Sequence, residues 1–216
     1  MLISERQAAP RLVRPKWLLA GFWICVFIAI AVVVRRLVTL ANPGAPGNSP
    51  TALLDTTFAS HATLTIAHIV PAGIFVILAV IVLLRAKQNT WIERSFFLFG
   101  AITGLTAYAM SAYAIGGWIE RAAVFVFNTW FLYCLARAFW FSIRADQGWK
   151  REWMTRGVGV LLGIATTRPV MGVFFATSPL THLTLNQFFG IAFWIGFSIN
   201  AVAAELWLRS KGSVRP

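Results

Sequence analysis

Residues 62–84 read ATLTIAHIVPAGIFVILAVIVLL, from Ala62 to Leu84, with no Asp, Glu, Lys or Arg among them. A helix needs about 20 apolar residues to cross the hydrocarbon core of a bilayer, so this stretch can span. Inside hydrocarbon each backbone N–H and C=O must bond within the chain, which leaves a helix or a closed barrel. A barrel strand alternates apolar and polar side chains. No such alternation is present, so the stretch reads as a helix.

Five more runs of the same kind surround it. The predicted spans are 17–34, 62–84, 95–117, 122–143, 157–177 and 188–208. The fold class expected is therefore all-α: a polytopic bundle of six transmembrane helices, with tails at 1–16 and 209–216. Composition agrees, since 58% of the chain is hydrophobic and 12% charged, against about 45–50% and about 25% in soluble domains. The first span follows a basic tail, as a signal peptide does. Its length exceeds a signal core of about 7–15 residues, and Arg35-Arg36 replaces a small-residue cleavage site, so it is expected to be retained.

Charge sets the orientation. One side of the six spans carries fourteen Lys and Arg, including Arg14, Lys16, Arg85, Arg94, Arg144, Lys150, Arg156 and Arg209. The other carries three: Arg35, Arg36 and Arg121. Positive residues stay cytoplasmic, so both termini are expected inside a bacterial inner membrane. The net charge of +12 would suggest nucleic acid in a soluble protein. Here the cations flank apolar runs, with no basic face outside the spans, so lipid is the expected partner and nucleic acid is excluded. Partner membrane subunits or a homo-oligomer stay open.

Polar groups inside the spans carry the functional reading. Arg168 lies eleven residues into the fifth span, near mid-membrane, where an arginine costs about 2.5–3.5 kcal/mol on insertion scales. Pro169 follows it and should free the Ala165 carbonyl and kink the helix. Glu205 lies nearest in depth to Arg137, so those two are expected to form a structural ion pair, leaving Arg168 without an acid at its own height. His68, Asn128 and Trp194 each lie about 9 Å below the exported ends of their spans, with Tyr113 shallower and Tyr108 deeper. With Arg168 these residues make either a ligand pocket in the exported half or a hydrogen-bond network that fixes packing.

Three histidines open a cofactor reading. His61 and His68 share a helix face about 10 Å apart, too far for the axial ligands of one haem. A b-type haem on His68 would need His182, or a methionine such as Met110, as its second ligand. Cys25 and Cys134 sit in apolar runs without zinc or disulfide spacing, and no metal site is assigned. P-loop, Rossmann, GxSxG and HExxH patterns do not occur. Gly100 with Gly104, and Gly159 with Gly163, have the four-residue spacing that lets helices approach closely.

Several pieces in order also carry a resemblance. His68-Ile69 opens a span ending at Arg85, and Ala114-Ile115-Gly116-Gly117 closes the third. Trp153-Met154 and Arg156 precede the fifth span, and Phe193-Trp194, Asn200 and Glu205 mark the last. From about Phe58 to Leu208 the chain resembles a bacterial family of membrane proteins known as domain of unknown function 2306. That resemblance implies a bacterial membrane address and no reaction. The chain departs from it at Glu93 and Lys150, where histidines are usual. The leading expectation is a non-enzymatic accessory or ligand-binding membrane protein. A redox protein holding b-type haem or quinone, or a small transporter, are the alternatives.

Overall fold

The computed structural model describes residues 16–42, 51–84 and 89–210, and all regular structure among them is α-helical. The helices are α1 (Lys16–Ala41), α2 (Ala52–Ser60), α3 (Ala62–Leu84), α4 (Thr90–Ser111), α5 (Gly117–Ile143), α6 (Gln147–Leu161), α7 (Gly163–Thr181) and α8 (Leu185–Ser210). The helices α1, α3, α5 and α8, and the consecutive pair α6–α7, are long and apolar enough to cross a membrane. The fourth helix has 22 residues but falls short of the others in hydropathy. Glu93, Arg94 and a scatter of Thr, Ser and Gly are the cause. It packs between α3 and α5.

Helix boundaries follow capping chemistry that a hydropathy pattern misses. The Asn89 side chain accepts the Trp91 N–H at 3.0 Å, so α4 starts at Thr90 and its first turn includes Glu93 and Arg94. At its other end the chain turns through 112–116, and Gly117 takes a left-handed φ of 59° that glycine adopts at no steric cost. The Gly116–Gly190 approach is close enough that a Cβ on Gly116 would lie 2.6 Å from the Gly190 nitrogen. Where the third span was expected, at 95–117, helix α4 covers 90–111, and the helix of the fourth begins at Gly117 instead of 122. Asp146 caps α6 by accepting the Trp149 N–H at 3.2 Å. The fifth span therefore begins at Gln147 instead of 157 and is two helices broken at Leu162, about two turns before Pro169.

The first helix runs past the expected end at 34 as far as Ala41, and α2 occupies part of what read as a plain exported connection. The tails at 1–15 and 211–216, with Arg14, and the loop residues Arg85 and Lys87, lie outside the described residues.

Small residues bring the helices together. A Cβ on Gly100 would fall 2.7 Å from Phe75 of α3, and one on Gly163 2.6 Å from Phe197 of α8. Gly159 meets Ala204 and Gly104 meets Leu132 in the same way. At Gly196 the α8 backbone lies directly against Thr167 of α7. Aromatic rings fill the centre: Phe75 stacks on Phe96 at 4.6 Å and meets Phe131 edge-on at 5.5 Å. Large apolar side chains such as Phe27, Leu105 and Leu180 point outward, as a lipid-facing surface requires.

Candidate functional site

Residues of all eight helices line a cavity of about 220 Å³, at the end of the bundle that carries α2 and the α4–α5 turn. Its walls are mostly apolar, with Val33, Ala72, Val76, Phe131, Phe193 and Phe197 among them. A smaller polar set faces the same space: Arg36, Thr65, His68, Thr103, Ser111, Tyr113, Glu120, Asn128 and Arg168. An apolar chamber with a few convergent polar groups is the usual form of a small-molecule site. Tyr113, 48% exposed, is the most open of the lining residues and marks the rim. Its ring lies 3.6 Å from that of His61.

Most of the buried polar groups have hydrogen-bond partners. Asn128 donates to the Gly104 carbonyl at 2.9 Å. His68 Nδ1 lies 3.0 Å from Thr106 Oγ1, and that hydroxyl sits 2.7 Å from the Ile102 carbonyl. The hydroxyl has one proton, and the carbonyl takes it. His68 therefore donates from Nδ1, and Nε2 is the acceptor of the ring. The Glu120 carboxylate accepts the Gly116 N–H at 2.7 Å.

Arg36 is 6% exposed, bonds Asp55 at 2.6 Å and lies 4.3 Å over the Phe58 ring. Arg35 holds the other Asp55 oxygen at 3.0 Å. Asp55 and Phe58 both come from α2, so this short helix is the polar cap over the end of α1.

Arg168 is an exception. Its Nε is buried without a hydrogen-bond partner, and its terminal nitrogen reaches only the Met171 sulfur, at 3.9 Å. The charges that bear on it are Arg36 and Arg35, both of its own sign. Among the described residues no acid pairs with this guanidinium, and the one carboxylate that lines the same cavity is that of Glu120.

The cavity collects Arg168, His68, Asn128 and Tyr113, and leaves out the other expected members of the site. Tyr108 turns to the bundle exterior, its hydroxyl 2.7 Å from Thr129 Oγ1 and its ring beside Phe125. Trp194 donates to the Ile119 carbonyl at 3.2 Å and packs on Phe127, behind the wall. His182 caps the end of α7, exposed and in a left-handed conformation with φ 55°. It does not reach the cavity, so the pairing of His68 with His182 around a haem is corrected.

The ion pair expected between Arg137 and Glu205 is corrected too. Glu205 is held by Arg156 Nε at 2.6 Å, because α6 lies against α8 where Gly159 meets Ala204. Arg137 instead lies over the rings of Phe141 and Trp153, at 5.1 and 5.3 Å.

Sequence reading missed Arg36, Glu120, Thr65 and Asp55. Asp55 had a signal: it is the one acid in the connection that follows the Arg35-Arg36 pair. Glu120 had a weaker one, an acid three residues after a glycine pair. Asn200 proves to be a structural tie, donating to Thr166 of α7 and contacting Cys25 of α1 at 3.8 Å. Glu93 and Lys150, the two departures from the resemblance, meet as one ion pair at 3.0 Å. Among the described residues no group of three or more His, Cys, Asp or Glu is placed to hold a metal.

Fold and cavity together define an all-helical, multi-pass membrane protein with a chamber inside its bundle. Compared with known proteins, the chain matches no family model, no curated protein and no solved structure.

Proposed function

We propose that this protein is a six-span, ligand-binding protein of a bacterial inner membrane, holding a small, largely apolar molecule by its polar end at Arg168. The observation that carries the reading is a mid-bundle guanidinium beside open space, with a buried Nε that none of the described residues satisfies. An unmet buried donor costs about 1–3 kcal/mol, more when charged. A cation in the membrane interior that lacks an internal role marks a binding site by default. The cavity also exceeds the roughly 150 Å³ that accommodates benzene in an engineered apolar void.

This arrangement takes six crossings, the five long apolar segments and α4. The fourth helix has the length and sits between two apolar neighbours. Alternating crossings then place Lys16, Arg94, Arg144, Arg156 and Arg209 at one end of the bundle. Since that end is the cytoplasmic one by charge, the cavity belongs to the exported half. A reporter enzyme fused near Pro46 should be active only when exported, and cytoplasmic activity there overturns the orientation.

For the site, the protein and Arg168→Met are each purified in nanodiscs and their bound small molecules extracted for mass spectrometry. A species retained by the natural protein and lost from the variant is the expected result. Identical contents in both sink the reading.

A further inference from the structure

We infer that the polar end of the ligand is an acid group, and that the molecule is a carboxylate of about nine non-hydrogen atoms, most of them in an apolar body. This rests on the chamber being a binding site, and goes beyond it by fixing the ligand's charge and size. The charge follows from a count of what faces the space. Arg36 is matched by Asp55, with which Arg35 also pairs from an exposed position. Glu120 takes the Gly116 N–H, with Arg121 as the cation that bears on it. His68 already donates from Nδ1 into the α4 backbone region and has no acid beside it among its contacts. Of the four cations in this set (Arg35, Arg36, Arg121 and Arg168), which face the two carboxylates of Asp55 and Glu120, Arg168 is the one that no described acid contacts, and Arg36 and Arg35 reinforce its field.

An anion meets the charge at Arg168, and a neutral molecule leaves it unmet. A planar carboxylate also matches the guanidinium fork better than any neutral acceptor, with shorter and stronger bonds.

Size comes from the volume. If a roughly 150 Å³ void takes six benzene carbons, about 220 Å³ takes about nine non-hydrogen atoms in proportion, the carboxyl group included. The apolar lining (Val33, Ala72, Val76, Phe131, Phe193) surrounds that body. Either a medium-chain fatty acid drawn from the membrane or a soluble aromatic acid has this chemistry.

The test uses the full chain in phosphatidylcholine nanodiscs with four probes: octanoate, 1-octanol, 2-naphthoate and 2-naphthalenemethanol. Dissociation constants are read from thermal shifts for the natural protein, Arg168→Gln and Arg168→Lys. At least one acid should bind about tenfold or more tightly than its alcohol, the discrimination expected of a charge-assisted bond. Arg168→Gln should erase that preference, and Arg168→Lys should keep part of it.

A stronger response to octanoate assigns a membrane-derived chain, and a stronger one to naphthoate a soluble ring. Equal binding of acids and alcohols overturns the anion while leaving the chamber as a site. No shift with any probe, together with unchanged bound contents in Arg168→Met, overturns both. If Arg168→Gln does not fold, the acid-to-alcohol ratios of the natural protein and Arg168→Lys still decide.

Discussion

The two ends of the bundle treat buried charge differently. At the basic end, Lys150 is 3% exposed and lies 3.0 Å from Glu93, while Arg156 holds Glu205 at 2.6 Å. Helices α4, α6 and α8 are tied there by ion pairs, while Arg137 of α5 lies over aromatic rings with its buried Nε unmet. In the cavity half the same kind of cation, Arg168, has space beside it and a sulfur as its one polar contact. A charge closed off by its own protein fixes helices, whereas a charge left open beside a void selects a ligand. Composition cannot separate these cases, since both are basic residues within helices. Only the partner distinguishes them.

The hardest way to break this contrast is to unmake a closed pair. Glu93→Ala strips Lys150 of its carboxylate inside the protein, and a buried charge left behind in this way costs about 3–5 kcal/mol. Unfolding in mixed micelles should show a loss of that size, and Glu93→Leu with Lys150→Met should recover most of it. A loss below about 1 kcal/mol in the single variant would mean that the basic end is not held by its ion pairs. Next in size is Gly196→Leu. A Cβ there meets the Thr167 backbone nitrogen at 2.7 Å, so α8 must move away from the residue before Arg168. Overpacking of this kind costs about 1–3 kcal/mol, and ligand retention should fall with stability.

Arg168→Met should then stand out by its small cost. Removing a guanidinium that no acid compensates relieves desolvation, so the empty protein is expected within about 1 kcal/mol of the natural one, or above it. Its bound contents, by contrast, should be lost. Stability that falls as far as in Glu93→Ala would make Arg168 another closed charge, and the contrast between the two ends would fail.

How much of this was readable in advance follows from what each feature depends on. Burial in hydrocarbon depends on local composition, so the helical, membrane-spanning character was plain from 62–84 alone. Helix ends depend on caps such as Asn89 and Asp146, which hydropathy averages away, and so α4 and α6 began earlier than expected. Depth along a helix placed Arg168, His68, Asn128 and Tyr113 at compatible heights, and all four line one cavity. Depth says nothing of rotation about the helix axis. Tyr108 and Trp194 have suitable heights yet face elsewhere, and Arg137 reaches aromatic rings while Arg156 takes Glu205. Helix α2 was lost because nine residues are too few for a hydropathy window, although its Asp55 answers the Arg35-Arg36 pair.

That pair gives the smallest predicted effect, and one that the basic end does not share. Burial pushes the Asp55 carboxyl up, but the hydrogen bond and charge of Arg35, with Arg36 and Thr51, outweigh it and hold the group below the usual carboxylate range. A folded value below the unfolded one adds stability above about pH 4, and that contribution disappears as pH falls through the folded value. Docking of α2 should therefore be flat from pH 8 to 5 and weaken only toward pH 3. Hydrogen exchange across Ala52–Ser60 would show it as faster exchange after correction for intrinsic rates. Asp55→Asn should give the weakened state already at pH 7 and remove the pH response. Exchange that stays slow at pH 3, or a variant that still responds to pH, would mean that α2 is held by Leu54 and the Thr65–Phe58 hydrogen bond. Asp55 would then be a neutralising charge for Arg36, and the cap over the cavity would be apolar in origin.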